Sequence, residues 1–180
     1  MHRAVFLDRD GVINSKAPEG RYITRWADFQ FLPGVAAAIA RLHQSGFLVI
    51  IVTNQRGVAR GLMTIEDLEE IHRRMEAALA SSNAHIHAIY YCPHDVSPAC
   101  ACRKPAAGML LQAAKDHGID LHNSWMVGDS DRDILAGQNA GCRTIRILPS
   151  GTPVHVPSDR TVQSLDDAAT EIIQADVAQH

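Results

Sequence analysis

An α/β three-layer sandwich on a mostly parallel sheet is the fold this sequence predicts, and three observations predict it. Short apolar runs rich in β-branched and aromatic residues alternate with segments of helical character. Those runs are continuously apolar rather than alternating, as strands covered on both faces require. Polar residues, Asp8, Thr53 and Asp129, stand at the carboxyl ends of three of the runs. Open α/β sheets bind ligands there, beyond the carboxyl ends of the strands.

Residues 4–7 (AVFL) read as the first strand. Residues 11–33 hold Gly, Pro and aromatics without a period and read as an extended flap. The alanine-rich stretch 34–45 reads as a helix stopped by Gly46. FLVIIVT at 47–53 is the strongest strand signal, followed by a polar loop at 54–61. Thr64, with Asp67 three residues on, starts a helix reaching to about residue 80. A strand at 86–91, an irregular loop at 92–105 and a helix at 106–117 closed by Gly118 come next. The remainder predicts a short strand at 125–127, a helix at 131–140, a strand at 143–148 and a helix at 165–175 capped by Ser164. With no repeat or linker, residues 1–180 are expected to form one domain.

The 180 residues are 46% apolar, which suits a folded globule. The net charge of −3 and the lack of a basic track give no reason to expect nucleic acid as a partner. No run reaches the roughly 18 apolar residues of a membrane span. The N-terminus enters a strand at once, without a signal-like apolar region and cleavage site, so a cytoplasmic location is expected. Cys92, Cys100 and Cys102 cluster beside His94 instead of spreading along the chain as a disulfide framework would, and Cys142 lies apart as a core residue. Cys-x-His and Cys-x-Cys pairs supply three thiolates and one imidazole, a tetrahedral Zn²⁺ set with no position left for water. The loop at 92–102 is therefore expected to bind structural zinc. Of the ten histidines only His94 reads as a ligand; His72, His85, His87 and His117 are assigned to surfaces or helix ends.

Four further segments carry chemistry. Asp8-Arg9-Asp10-Gly11 places two carboxylates two positions apart after a strand, one able to attack phosphorus and the other to handle a proton. Each segment has a plainer alternative, here a solvated strand-to-loop turn. Thr53 and Asn54 can hold a phosphate oxygen, and Arg56 and Arg60 can meet a second anionic group or lie on the surface. Lys104 can neutralise a carboxylate and phosphoryl oxygens, while Arg103 offers a planar fork. In Gly128-Asp129-Ser130-Asp131-Arg132-Asp133, Asp129 is placed as a Mg²⁺ ligand and Asp133 as support behind it. Helix capping suffices to explain Asp131.

DRDG (8–11), VTN (52–54), RKP (103–105) and GDSDRD (128–133), in that order, resemble the four signatures of the haloacid dehalogenase-like (HAD) phosphatase superfamily. The resemblance implies a Rossmann-like HAD fold without a large cap domain. It also implies Asp8 as nucleophile, Asp10 as general acid/base, Thr53 and Lys104 as phosphate binders, and Mg²⁺ held by Asp8, the Asp10 carbonyl and Asp129. Within the superfamily, DRDGVIN (8–14), FLPG (31–34), TNQRGVARG (53–61) and CPH…CxCRKP (92–105) are similar to the D-glycero-D-manno-heptose 1,7-bisphosphate 7-phosphatases. That likeness implies hydrolysis of the C7 phosphate of a small sugar bisphosphate, with Arg103 and the loop arginines at its retained phosphate. The five-residue gap between His94 and Cys100 instead resembles the domain acting on histidinol phosphate, which stays as the alternative. From another class, a zinc-stabilised sugar-phosphate-binding module without turnover would need a broken catalytic set. One chain completes the site, so a monomer is expected.

Overall fold

A computed structural model describes residues 1–148 and 153–178. Six strands form one sheet: β1 (Ala4–Leu7), β2 (Leu48–Asn54), β3 (Ala88–Cys92), β4 (Trp125–Gly128), β5 (Arg143–Ile147) and β6 (Arg160–Val162). Their order is β3-β2-β1-β4-β5-β6, and every pairing is parallel. The apolar composition of β1 follows from its central place. Its four side chains are fully buried; Val5 and Leu7 enter one core cluster and Ala4 and Phe6 the other.

Helices cover both faces. Helices α1 (Val35–Gln44), α3 (Ile65–Ala80) and α6 (Leu165–Val177) pack on the Val5 and Leu7 side through Ile39, Leu42, Ile71, Met75 and Ile172. Helices α4 (Gly108–His117) and α5 (Asp131–Ala140) pack on the Phe6 side through Met109, Leu110, Ala113 and Ala136. The three layers predicted from sequence are thus present. Local signals set several ends. Thr64 and Asp67 form a reciprocal capping box at the start of α3, and Ser164 caps α6. Gly118 ends α4 in the left-handed conformation.

Three features differ from the sequence expectation. The polar loop after β2 contains a single helical turn, α2 (Arg56–Ala59). Strand β3 begins at Ala88 rather than residue 86, because His87 bridges to β2 by side chain and main chain: its Nδ1 accepts from Val49 N at 2.9 Å, and its own N–H donates to the Val49 carbonyl at 2.8 Å. Strand β6 was not foreseen; it is three residues long, mostly exposed and lies at the sheet edge. The flap is irregular as expected, with one 3₁₀ turn at Trp26–Asp28. Trp26 stacks on Phe29 in it, Phe31 meets Phe29 edge-on, and Phe29 enters the core on the α3 side.

Candidate active site

The chain turns to opposite sides of the sheet after β1, which pairs with β2 on one edge and β4 on the other. A crevice opens at such a reversal. The register Leu7↔Val127 and the bond from Asp8 N to Val127 O, 3.0 Å, bring Asp8 beside the end of β4. Gly11 completes the approach. Its φ is 98°, and a Cβ there would fall 2.1 Å from Asp129 Oδ2, so only glycine lets the first loop lie against Asp129. On the other side, a Cβ at Gly128 would fall 2.1 Å from Asp133 Cβ, so α5 folds back tightly on β4.

Lys104 is the electrostatic centre. It is buried, and its ammonium meets Asp8 Oδ1 at 2.9 Å, Asp133 Oδ1 at 2.6 Å and the Val52 carbonyl at 2.7 Å. All three N–H bonds are therefore used. Burial and then Asp133 raise the Asp8 carboxyl, against the pull of Lys104, leaving it pushed up to about 7. Burial would likewise raise Asp133, but Lys104 outweighs it and the group is held low. Asp133 also accepts from Ser130 N and Oγ at the start of α5. Both of its oxygens are thus taken, by Lys104 and by the start of α5. Asn54 fixes the lysine's backbone by a reciprocal pair: its Nδ2 donates to the Lys104 carbonyl, and Lys104 N donates to its Oδ1, both at 3.0 Å.

Asp10 stands on a second platform. Its carboxylate accepts from Arg9 Nη2 at 3.0 Å, Asn14 Nδ2 at 2.8 Å and Gln55 Nε2 at 3.0 Å. Burial alone would raise its pKa; Arg9 and these bonds reverse the direction and lower it. Arg9 is fully buried, and its Nη1 donates to His72 Nε2 at 3.1 Å. Since arginine can only donate, the imidazole accepts there and is neutral. Burial and then Arg9 push its pKa down to about 3. The assignment of His72 to a surface or helix end is thus corrected: it is buried in mid-α3 and reaches the catalytic loop through Arg9. Thr53 accepts from Gln55 Nε2 at 2.9 Å, which leaves its own O–H to donate.

These groups face a crevice of about 480 Å³ lined by Asp8, Asp10, Lys104, Asp129 and flap residues 16–23. Thr53 is buried behind the lining, and Asn54 belongs to it. Arg56, Arg60 and Arg103 lie outside it. Arg56 pairs with Asp95 at 2.6 Å, Arg60 is exposed, and Arg103 Nη1 donates to the His94 carbonyl at 3.2 Å. Sequence reasoning missed Lys16, Arg21, Gln55 and Arg132, which line the crevice, and Arg9 and His72 behind it. Only the position of Arg9 between the two aspartates offered a signal.

Carboxylate oxygens of Asp8, Asp129 and Asp133 all lie within 4.8 Å of one another. Asp129 Oδ1 is buried without a hydrogen-bond partner. A hard divalent cation fits that set and answers both the orphaned oxygen and the raised Asp8 carboxyl. In the loop after β3, one donor atom each from Cys92, His94, Cys100 and Cys102 falls within the same 4.8 Å limit. His94 Nδ1 is 3.2 Å from Cys102 Sγ, the Cys92 and Cys102 sulfurs are 2.9 Å apart, and all three thiols are free.

In-line attack on a phosphomonoester needs a carboxylate facing fixed positive charge with a proton carrier nearby; the loop after β1 supplies Asp8 and Asp10, and the segment before α4 brings the Lys104 ammonium against Asp8 at the sheet's reversal. Fold and site together define a phosphohydrolase of the HAD superfamily, without a large cap domain among the described residues. A family model described as HAD-hydrolase-like matches residues 101–168. The D-glycero-β-D-manno-heptose-1,7-bisphosphate 7-phosphatase of Haemophilus ducreyi is 35% identical over 178 residues, covering 95% of this chain and 96% of the relative. The enzyme of that name from Vibrio cholerae is 40% identical over 158 residues, covering 84% and 83%. The crystal structure of D,D-heptose 1,7-bisphosphate phosphatase from B. bronchiseptica, complexed with magnesium and phosphate, superposes with a TM-score of 0.85 at 35% identity, covering 96% and 99%. The chain belongs to the D-glycero-D-manno-heptose-1,7-bisphosphate 7-phosphatase family.

Proposed function

We propose that the chain removes the C7 phosphate of D-glycero-D-manno-heptose 1,7-bisphosphate, with Mg²⁺, through an aspartyl-phosphate on Asp8. The observation that carries this reading is the buried Lys104 ammonium, 2.9 Å from Asp8 and 2.6 Å from Asp133. It holds a cation where a carboxylate and a phosphate dianion must meet. Asp8, Asp129 and the main-chain carbonyl of Asp10 would hold Mg²⁺, which when bound supplies further neutralisation of those charges.

Asp8 attacks phosphorus in line, forming an Oδ–P bond as the ester P–O bond breaks. Thr53 donates its free O–H to a transferring oxygen, and Lys104, whose N–H bonds stay on Asp8, Asp133 and Val52, neutralises the transferring oxygens by its charge. Asp10, a carboxylate in the unliganded site, is raised by the approaching anionic substrate and so takes up a proton. It gives that proton to the leaving alkoxide and later accepts one from the water that opens the acyl phosphate. Proton transfer of this kind contributes roughly 10²–10⁴-fold. Arg103, with Arg56 and Arg60, meets the retained phosphate beyond the crevice rim.

Cys92, His94, Cys100 and Cys102 would hold a structural Zn²⁺ that fixes the loop presenting Arg103 and Lys104. We read residues 1–180 as one domain acting as a monomer, because one chain supplies every group named. No helix among the described residues is long and apolar enough to cross a membrane. The clustering of Cys92, Cys100 and Cys102 as metal-type donors beside His94 is our ground for proposing a cytoplasmic location.

The five-residue spacing between His94 and Cys100 favours histidinol phosphate as a second substrate reading. Mg²⁺-dependent phosphate release from both heptose bisphosphate anomers and from histidinol phosphate tests these readings together. The heptose bisphosphate is expected to give the highest kcat/KM, with the β anomer, the form in the relatives' names, preferred. Faster release from histidinol phosphate would reverse the substrate assignment. No release from any of them would leave a binding module.

A further inference from the structure

We infer that Lys16 is a tethered counter-ion that competes with the divalent cation for Asp129 and couples cation binding to the position of the flap. The inference rests on reading Asp8 and Asp129 as the cation's ligands. Lys16 Nζ lies 2.5 Å from Asp129 Oδ2, reaching the acidic loop from the flap across the crevice. Its stem runs through the gap that Gly11 leaves: a Cβ on residue 11 would stand 2.8 Å from Lys16 Cε as well as 2.1 Å from Asp129 Oδ2. The same missing side chain that lets the catalytic loop approach Asp129 therefore opens the path for the lysine.

Lys16 holds Oδ2 of this carboxylate and the cation would take Oδ1, which has no partner, so two positive charges would share one carboxylate. A Mg²⁺ ion sits about 2.0–2.1 Å from its oxygen ligands, so it would stand within a few ångström of the ammonium and repel it. The two lysines of the site respond differently. Lys104 is 2% exposed and held by two carboxylates and a carbonyl, so it stays. The Lys16 side chain is 51% exposed, so its ammonium can return to water. Residues 16–23 all line the crevice, so release of Lys16 frees the end of that wall from the acidic loop. Cation binding thus loosens the flap as it arms the nucleophile.

The test is calorimetric titration of the zinc-loaded, substrate-free protein with MgCl₂, for wild type, Lys16→Met, Lys16→Arg and Asp129→Asn. Hydrogen exchange of residues 16–23 is followed with and without Mg²⁺. Exposed ion pairs are weak, so Lys16→Met is expected to bind Mg²⁺ about two- to fivefold more tightly than wild type. Lys16→Arg keeps the charge and should stay near wild type. Flap exchange should rise with Mg²⁺ in wild type and be already high in Lys16→Met. Equal or weaker Mg²⁺ binding by Lys16→Met, or flap exchange in wild type that ignores Mg²⁺, overturns the inference. Wild type binding Mg²⁺ no better than Asp129→Asn overturns the metal-site reading, and this inference with it.

Discussion

The crevice and the Cys/His loop both gather metal donors, and Cys102 and Lys104 are only two positions apart, yet the two regions are stabilised in opposite ways. In the crevice the donors are carboxylates already balanced by the protein's own cations. Lys104 lies between Asp8 and Asp133, and Lys16 rests on Asp129. The surrounding strands hold these groups in place by main-chain pairing. In the loop, by contrast, Cys92 alone is buried, His94 is exposed, and the four donors have mainly one another. Its polar ties to the rest are the Arg56–Asp95 pair, the Arg103–His94 bond and the main-chain bonds from Gln55, Ala59 and Gly108, while Cys92, Cys100 and Cys102 border the core on the Phe6 side. A shape kept by paired charges tolerates exchange of its ion. A loop held by few polar ties and by the edge of the core would gain more of its order from the Zn²⁺ proposed for it.

Asp8→Asn should separate chemistry from architecture most sharply. Turnover is expected to fall on the order of 10⁴-fold or more, with zinc content and thermal stability retained, provided mass spectrometry excludes deamidation back to aspartate. Cys102→Ser tests the loop. Zinc measured by elemental analysis should be lost, and kcat/KM should fall roughly 10–100-fold because Arg103 and Lys104 lose their support. Full activity without zinc would break the contrast between the two regions. Asn54→Ala removes both bonds to the Lys104 backbone without touching either metal set. A fall of about tenfold in kcat, with little change in zinc or KM, is expected from the cost of two lost hydrogen bonds.

The smallest effect concerns pH. His72 is held neutral, with a folded pKa of about 3 against 6.5 in the unfolded chain. Between those values the unfolded state binds the extra proton, so stability is fully present above 6.5 and is lost as pH falls toward 3. Denaturant unfolding should show wild type losing on the order of 2 kcal/mol more than His72→Gln between pH 7 and pH 5. Glutamine keeps an acceptor for Arg9 without titrating. Parallel pH profiles would show that His72 plays no such part.

Most of this architecture was legible because the chain signals it locally. FLVIIVT has few states open to it other than a buried strand, and Thr64 with Asp67 announces a helix start that the side chains then build. The four acidic, hydroxyl and basic signatures could be joined because strand ends in a parallel sheet share one side. What stayed hidden depends on pairing across the fold. Sequence alone offers Arg9 no partner; only the fold brings His72, 63 positions on, to accept from it. Arg160–Val162 carries too little apolar surface to announce a strand and is ordered by pairing with β5. Lys16 sits in a segment without periodicity, and only the approach at Gly11 shows where it reaches.

The bond from Asp8 N to Val127 O has a consequence for how this chain can vary. Two neighbouring strands act as a ruler, and the spacing between nucleophile and acidic partner is read in units of one residue. Lengthening Trp125–Gly128 by a single amino acid would turn the strand side chains after the insertion to the other face and send Asp129 away from Asp8. The same insertion beside Gly20, which has no neighbour within 4 Å of where a Cβ would stand, leaves that spacing untouched. Descendants of this sequence are thus free to reshape this wall of the crevice, while the spacing of Asp8 and Asp129 stays locked in the ladder.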